Sequence, residues 1–234
     1  MSLQRKIVLV TGGTGALGQV VLRRFLTEGA IFATSYRSEE GLNRLPTDLA
    51  SKVYPVRADV TDEQELAKLF DLVGDKYGGV DVLVNTVGGF LPGRSVSETS
   101  LNDWEQMMEV NLNSTFLCSR MYLKLSKGKS YGRIISIAAM LALRPRANRA
   151  AYAVSKAGVT VLIQVMGEEL KGSGITANAI APSVIRTFGN TDSAAEEDTG
   201  KWVGADEIAE LVVFLCSESG KSINGATIPV FGGI

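Results

Sequence analysis

The sequence predicts an α/β fold: a doubly wound parallel sheet with helices on both faces, built as a single domain over residues 1–234. Three observations carry this. Short apolar runs alternate with stretches of helical periodicity along the chain. Those runs are apolar throughout instead of at alternate positions, as expected of strands covered on both faces. A glycine-rich turn joins the first strand to the first helix, where a βαβ unit offers a helix N-terminus to a ligand.

The elements follow in order. "KIVLVTG" (6–12) reads as the first strand, and "ALGQVVLRRFLTEG" (16–29) as a helix stopped by Gly29. "AIFATSY" and "KVYPVRADV" are the second and third strands. "TDEQELAKLFDLVGDKYG" is a helix with Thr61 as N-cap and carboxylates in its first turn. "VDVLVNTVGG" is the fourth strand, followed by two helices near 101–110 and 112–127. "GRIISIAA" is the fifth strand, and the helix carrying Tyr152 runs to about 171. "GITANAIAP", "ADEIAELVVFLCSE" and "ATIPVFGG" supply a sixth strand, a helix and a closing strand. No repeat or linker breaks this order, and ligands are expected at the carboxyl ends of the strands.

Composition narrows the function. Of 234 residues, 45% are hydrophobic and 21% charged, as in soluble globular proteins. A net charge of −1 leaves no field to gather nucleic acid or an anionic membrane, and neither is an expected partner. No apolar run approaches the ~20 residues that span a bilayer. Cys118 and Cys216 fall in helical stretches and read as core residues in a reducing compartment, which points to the cytoplasm. The chain has no histidine, which removes Ser-His-Asp triads and His-ligated zinc, so no metal is expected. Proton transfer falls to Tyr, Lys, Asp, Glu, Cys or a cofactor.

The turn "VTGGTGALG" (10–18) brings backbone N–H groups and a helix N-terminus to one place, which suits a pyrophosphate. Gly12, Thr14, Gly15, Leu17 and Gly18 are its candidate cofactor residues. An NAD site usually has a carboxylate at the end of the second strand. Here that end reads Thr34, Ser35, Tyr36, Arg37, Ser38, with no acid, and Arg37 could pair with a 2′-phosphate. Arg37 and Ser38 therefore favour NADP(H), with NAD(H) as the alternative; Glu39 and Glu40 beside them weigh the other way.

Tyr152 and Lys156 are four apart and share one helix face. A phenol is a poor acid at neutral pH. Moving its pKa from about 10 to about 7 takes roughly 4 kcal/mol, which a nearby ammonium and a cationic oxidised nicotinamide could supply.

With these motifs in family order, the chain resembles a short-chain dehydrogenase/reductase over its length. The motifs are "TGGTGALG", "ADVTD", "NTVGG", "VNLNS", "YAVSKAG", "IAPSVIRT" and "INGATIPVFGG". The resemblance implies a seven-stranded Rossmann sheet, a homodimer or homotetramer, and hydride transfer to the C=O or C=N of a small molecule. It implies Tyr152 as proton donor, and Lys156 as the group that holds the nicotinamide ribose and lowers the phenol pKa. Asn111 would order a helix kink and a relay water. Asp59 and Val60 would meet the adenine, and Asn85 would lie along the cofactor. Pro182, Val184 and Thr187 would meet the nicotinamide. Ser155 reads as a packing residue.

Three positions depart from the family pattern. Ala16 replaces a middle glycine, with Gly15 as the compensating residue. "NTVG" replaces "NNAG". Ala139 stands where the family's substrate-orienting serine precedes the tyrosine, and Ser136 is an odd strand offset away, on the opposite face. Three readings stay open. The first is a carbonyl reductase slowed by one lost hydrogen bond. The second is a reductase of the quinonoid dihydropteridine type, whose substrate needs no serine; "GGF" (88–90) and the acidic segment 187–202 resemble that relative. The third is a weakly catalytic NADP(H)-binding sensor or scaffold. Arg144, Arg146 and Arg149 precede the tyrosine helix, where they could dock a carboxylate or an acidic carrier, or simply be solvated.

Overall fold

The computed structural model describes residues 3–187 and 200–234. Seven strands form one parallel sheet in the order β3-β2-β1-β4-β5-β6-β9. They are β1 Ile7–Thr11, β2 Ile31–Tyr36, β3 Tyr54–Arg57, β4 Val82–Asn85, β5 Gly132–Ile137, β6 Ile175–Pro182 and β9 Thr227–Val230. Every neighbouring pair is parallel. The expected sheet is therefore present.

The apolar strands split their side chains between two cores. Val8 and Val10 of β1 and Val82 and Val84 of β4 face α1 (Ala16–Thr27) and α9 (Ala205–Cys216), with Phe25, Ile208 and Val212 opposite. Leu9 and Leu83 point the other way, toward α4 (Glu63–Tyr77), α6 (Ser114–Leu125) and α8 (Ala150–Glu169). Leu69, Phe70, Val159 and Ile163 fill that second core. Period-two alternation buried on both sides leaves no polar face, which is why the strands read as continuous apolar runs. The chain order reverses between β1 and β4, so the crevice opens where the glycine turn ends β1.

Several local expectations change. The N-cap of α4 is Asp62, whose Oδ1 accepts from Gln64 N at 2.8 Å and Glu65 N at 2.9 Å. A carboxylate satisfies two orphan N–H groups and opposes the helix dipole, which the Thr61 hydroxyl does less well. Thr61 instead donates its N–H and hydroxyl to Asp59 Oδ1, at 3.0 and 2.7 Å. The two helices expected at 101–110 and 112–127 are one continuous element: α5 (Leu101–Met107), a π-helical turn (Met108–Asn113) and α6. Ser114 and Thr115 hydroxyls bond Val110 O and Asn111 O across the widened turn. Short helices α2 (Glu39–Asn43), α3 (Thr47–Ala50) and α7 (Met140–Leu143), and a two-stranded pair β7 (Ile185–Arg186) with β8 (Val203–Gly204), were not anticipated. Cys118 and Cys216 are buried and unpaired, as expected.

Candidate cofactor groove and active site

The glycine turn is held by packing as much as by conformation. Gly12 has φ +71°, and a Cβ there would lie 2.9 Å from Val87 Cγ2. A Cβ on Gly18 would lie 2.6 Å from Gly13 Cα, so only glycine lets α1 start this close to the turn. Gly13 N donates to Thr34 Oγ1 at 2.9 Å and Gly12 N to Ser35 Oγ at 3.1 Å. The polar end of β2 thus braces the turn. Ala16 is the first residue of α1 and Gly15 its N-cap, with φ −75°. Neither position needs a left-handed conformation, so alanine fits there.

A groove of roughly 580 Å³ runs from this turn across the strand ends, lined by Gly12, Thr14, Gly15, Arg37, Asp59 and Val60. Ser38 caps α2, accepting from Gly41 N at 3.2 Å. Leu17 turns its side chain onto the core. Asn85 is buried between strands: its Nδ2 donates to Ser136 Oγ at 3.1 Å, and its side chain does not line the groove. Ser136 is therefore committed within the sheet.

The groove meets a second cavity of roughly 650 Å³ at Gly88, Gly89 and Phe90. Tyr152, Lys156, Ala138, Ala139, Pro182, Ser183 and Val184 line this cavity. Thr187 is the last described residue on this side. The acidic residues Asp192, Glu196, Glu197 and Asp198 lie outside the described residues. Phe90 is 56% exposed and meets the Tyr152 ring edge-on, with centroids 5.0 Å apart at 77°.

Asn111 explains the π turn. Its Nδ2 donates to Gly89 O at 3.1 Å and Ser155 Oγ at 3.0 Å, and its Oδ1 accepts from Gly89 N at 2.9 Å. The extra residue aims this fully buried amide at the loop that lines both cavities. Ser155 passes the chain on by donating to Tyr152 O at 2.8 Å, a structural use of its hydroxyl. Lys156 Nζ donates to Ile137 O at 2.8 Å, and a Cβ on Gly88 would lie 3.1 Å from that ammonium.

The electrostatics run against one sequence expectation. Burial pushes the Tyr152 pKa up to about 12 and the Lys156 pKa down to about 8. In the protein alone the phenol is not acidified by Lys156: desolvation of the phenolate dominates, and the ammonium is turned to a backbone carbonyl. A phenol in this state keeps its proton at neutral pH, which suits a donor better than a base. Ser183 is a hydroxyl that lines the cavity and was missed in the sequence; it donates to Phe231 O at 2.8 Å. Arg146 and Arg149 also line the cavity, with the Arg149 guanidinium 5.0 Å from the Phe90 centroid.

Known proteins resemble this chain over its length. The short chain dehydrogenase family profile matches residues 6–198. A meso-2,3-butanediol dehydrogenase of Serratia marcescens is 31% identical, covering 100% of this chain and 96% of that one. A 3-oxoacyl-[acyl-carrier-protein] reductase of Salmonella typhimurium is 30% identical, covering 100% and 99%. The structure of an actinorhodin polyketide ketoreductase with NADPH superposes with a TM-score of 0.91 at 28% identity, covering 100% of this chain and 98% of that one.

Proposed function

The chain belongs to the short-chain dehydrogenase family, as an NAD(P)-dependent oxidoreductase, and on that premise we propose that it reduces a C=O or C=N of a small molecule with Tyr152 as proton donor. The observation that carries this reading is the meeting of two cavities at Gly88–Phe90, with the glycine turn at one end and Tyr152 and Lys156 at the other.

The residues present fit a dinucleotide. Gly12 and Gly18 leave a cradle that a Cβ would fill, and Gly15 begins α1 beside it. Gly12, Thr14, Gly15 and the start of α1 at Leu17 and Gly18 would hold the pyrophosphate. Asp59 and Val60 would bound the adenine, and Lys156, Pro182 and Val184 the nicotinamide end, with Thr187 following three residues after Val184. When bound, the nicotinamide supplies the hydride. Tyr152 keeps its proton until the substrate oxygen or nitrogen takes it. Lys156 stays mostly protonated at pH 7 and offers its remaining donors to hydroxyls. Asn111 holds the Gly89 loop, and with it the floor between the two cavities.

NADP(H) is favoured over NAD(H). Arg37 lines the groove, while Glu39 accepts from Tyr36 and Glu40 pairs with Arg44. The acids that weighed against Arg37 thus have other partners. The nearby solved ketoreductase carries NADPH.

The cavity wall at Ala139 favours the quinonoid dihydropteridine type as a second reading. Ser183 gives its proton to a backbone carbonyl, which leaves Tyr152 to meet the reacting atom. A conjugated imine builds up less localised charge than a ketone and needs one donor fewer.

The helix α8 bears on partners and location. An 18-residue window of this 20-residue helix has a mean hydropathy of 1.3, enough by length and composition to cross a membrane, yet half of that window is buried in the fold. Val154, Val161 and Val165 form its exposed stripe. That stripe supports a homodimer or homotetramer, the buried half of α8 supports a core helix and not a membrane span, and the net charge of −1 supports the absence of a nucleic acid partner. Titrating NADPH by fluorescence, then assaying its oxidation with quinonoid dihydropterin, acetoacetyl thioesters and quinones, tests the proposal. Binding with turnover of at least one supports it; binding without any turnover would make the protein a sensor.

A further inference from the structure

We propose that the catalytic cavity takes a carbonyl compound carrying a carboxylate, and that Arg149 is the specificity residue that pairs with it; this rests on the reductase reading above. The charged side chains lining the cavity are Arg146, Arg149 and Lys156, and no Asp or Glu lines it among the described residues. The other walls are largely apolar: Phe90, Ile137, Met140, Val184 and Ile185. A small substrate entering here meets positive charge in a setting of low polarity, where a charge-assisted bond is strongest.

Of the three cations, Arg149 is the one placed to bind. Lys156 donates to Ile137 O. Arg146 is exposed. Arg149 is half-buried, and its Nη1 is buried without a hydrogen-bond partner among the described residues. That nitrogen packs against Gly93, so the guanidinium is anchored on one side, and the rest of the fork is the part that lines the cavity and can take a ligand. Asp103 shares a small neighbouring cavity with Arg149 but forms no ion pair with it among the described residues.

The surroundings hold the guanidinium in place. It lies over Phe90, which in turn meets Tyr152 edge-on, so acid, ring and cation form one column along the wall. A Cβ on Gly93 would lie 2.9 Å from Arg149 Cζ, so glycine there makes room for the side chain. Asn148 adopts φ +63° directly before it, and a β-bridge joins Arg149 to Arg94. A planar carboxylate matches the guanidinium fork in two parallel bonds.

The test compares ligands that differ in charge. Calorimetry with pentanoate and pentanamide measures binding without turnover. Levulinate against methyl levulinate gives the ratio of kcat/KM for acid over ester. The expected result is a preference for the acid of about 10–100-fold in both, lost in Arg149→Met and partly kept in Arg149→Lys. Equal binding of pentanoate and pentanamide, or a preference that survives Arg149→Met, would overturn the proposal. Tighter binding of pentanoate with no turnover of either ketone would uphold the carboxylate site and count against the reductase reading instead.

Discussion

The two halves of the crevice are built by different means. Around the glycine turn the work is done by backbone and close packing. Gly12, Gly13 and Gly18 let chain segments touch, and Thr34 and Ser35 take up the N–H groups that face them. The few charged side chains there sit at the rim. Around Tyr152 the arrangement inverts. Side chains dominate, Lys156 is buried with its pKa lowered to about 8, and Arg149 carries a buried donor without a partner among the described residues. One half is complete in itself and general in what it holds. The other stores unmet electrostatic demand, and that demand gives it selectivity.

The comparison can be broken first at the phenol. Tyr152→Phe should lower kcat by about 10²–10⁴, the range for loss of a general acid, while fluorescence titration shows unchanged NADPH affinity. Full activity in this variant would remove Tyr152 from the chemistry. Next comes the wall that lacks a hydroxyl. Ala139→Ser should raise ketone reduction by up to about 10²-fold and leave reduction of a conjugated imine nearly unchanged. An equal gain on both substrates would argue that position 139 acts on the fold alone.

At the cofactor end, Arg37→Ala should reduce the NADPH over NADH preference in kcat/KM by about tenfold, since one charge-assisted contact is lost. The last effect is on stability, and its sign is unusual. Lys156 has a folded pKa of about 8, below the usual 10.5. The unfolded chain therefore binds more protons between those values, and stability should rise with pH from about 8 toward 10.5. Below pH 8 the buried ammonium is a net burden. Lys156→Met should therefore raise the urea midpoint at pH 7, by about 1–3 kcal/mol in unfolding free energy, while abolishing turnover. A midpoint that falls instead would show that the bond to Ile137 O outweighs desolvation.

Some of this was open to reading in one dimension. Seven strands, their parallel order and the main helices follow from periodicity and apolar runs, which act within a few residues of one another. The pairing of Tyr152 with Lys156 on one face needs only helical geometry. The end of β2 was likewise read without an acid, and the glycine positions matched the turn. By contrast, nothing local announces that Asn85 turns into the sheet toward Ser136; the Asp62 cap of α4 was a local signal passed over, since it bonds only residues two and three further on.

What the sequence determined alone is the fold class, the place of the cofactor turn and the presence of a tyrosine–lysine pair, because each depends on spacing along one or two adjacent elements. Tertiary structure alone decided the π turn that delivers Asn111 to Gly89, the column of Arg149, Phe90 and Tyr152, and the direction in which burial moves the two pKa values. The physical reason is that solvation and hydrogen-bond completion are sums over neighbours far apart in the chain. Their sign is set only when the loop from β4, the turn before α8 and the end of β5 come together.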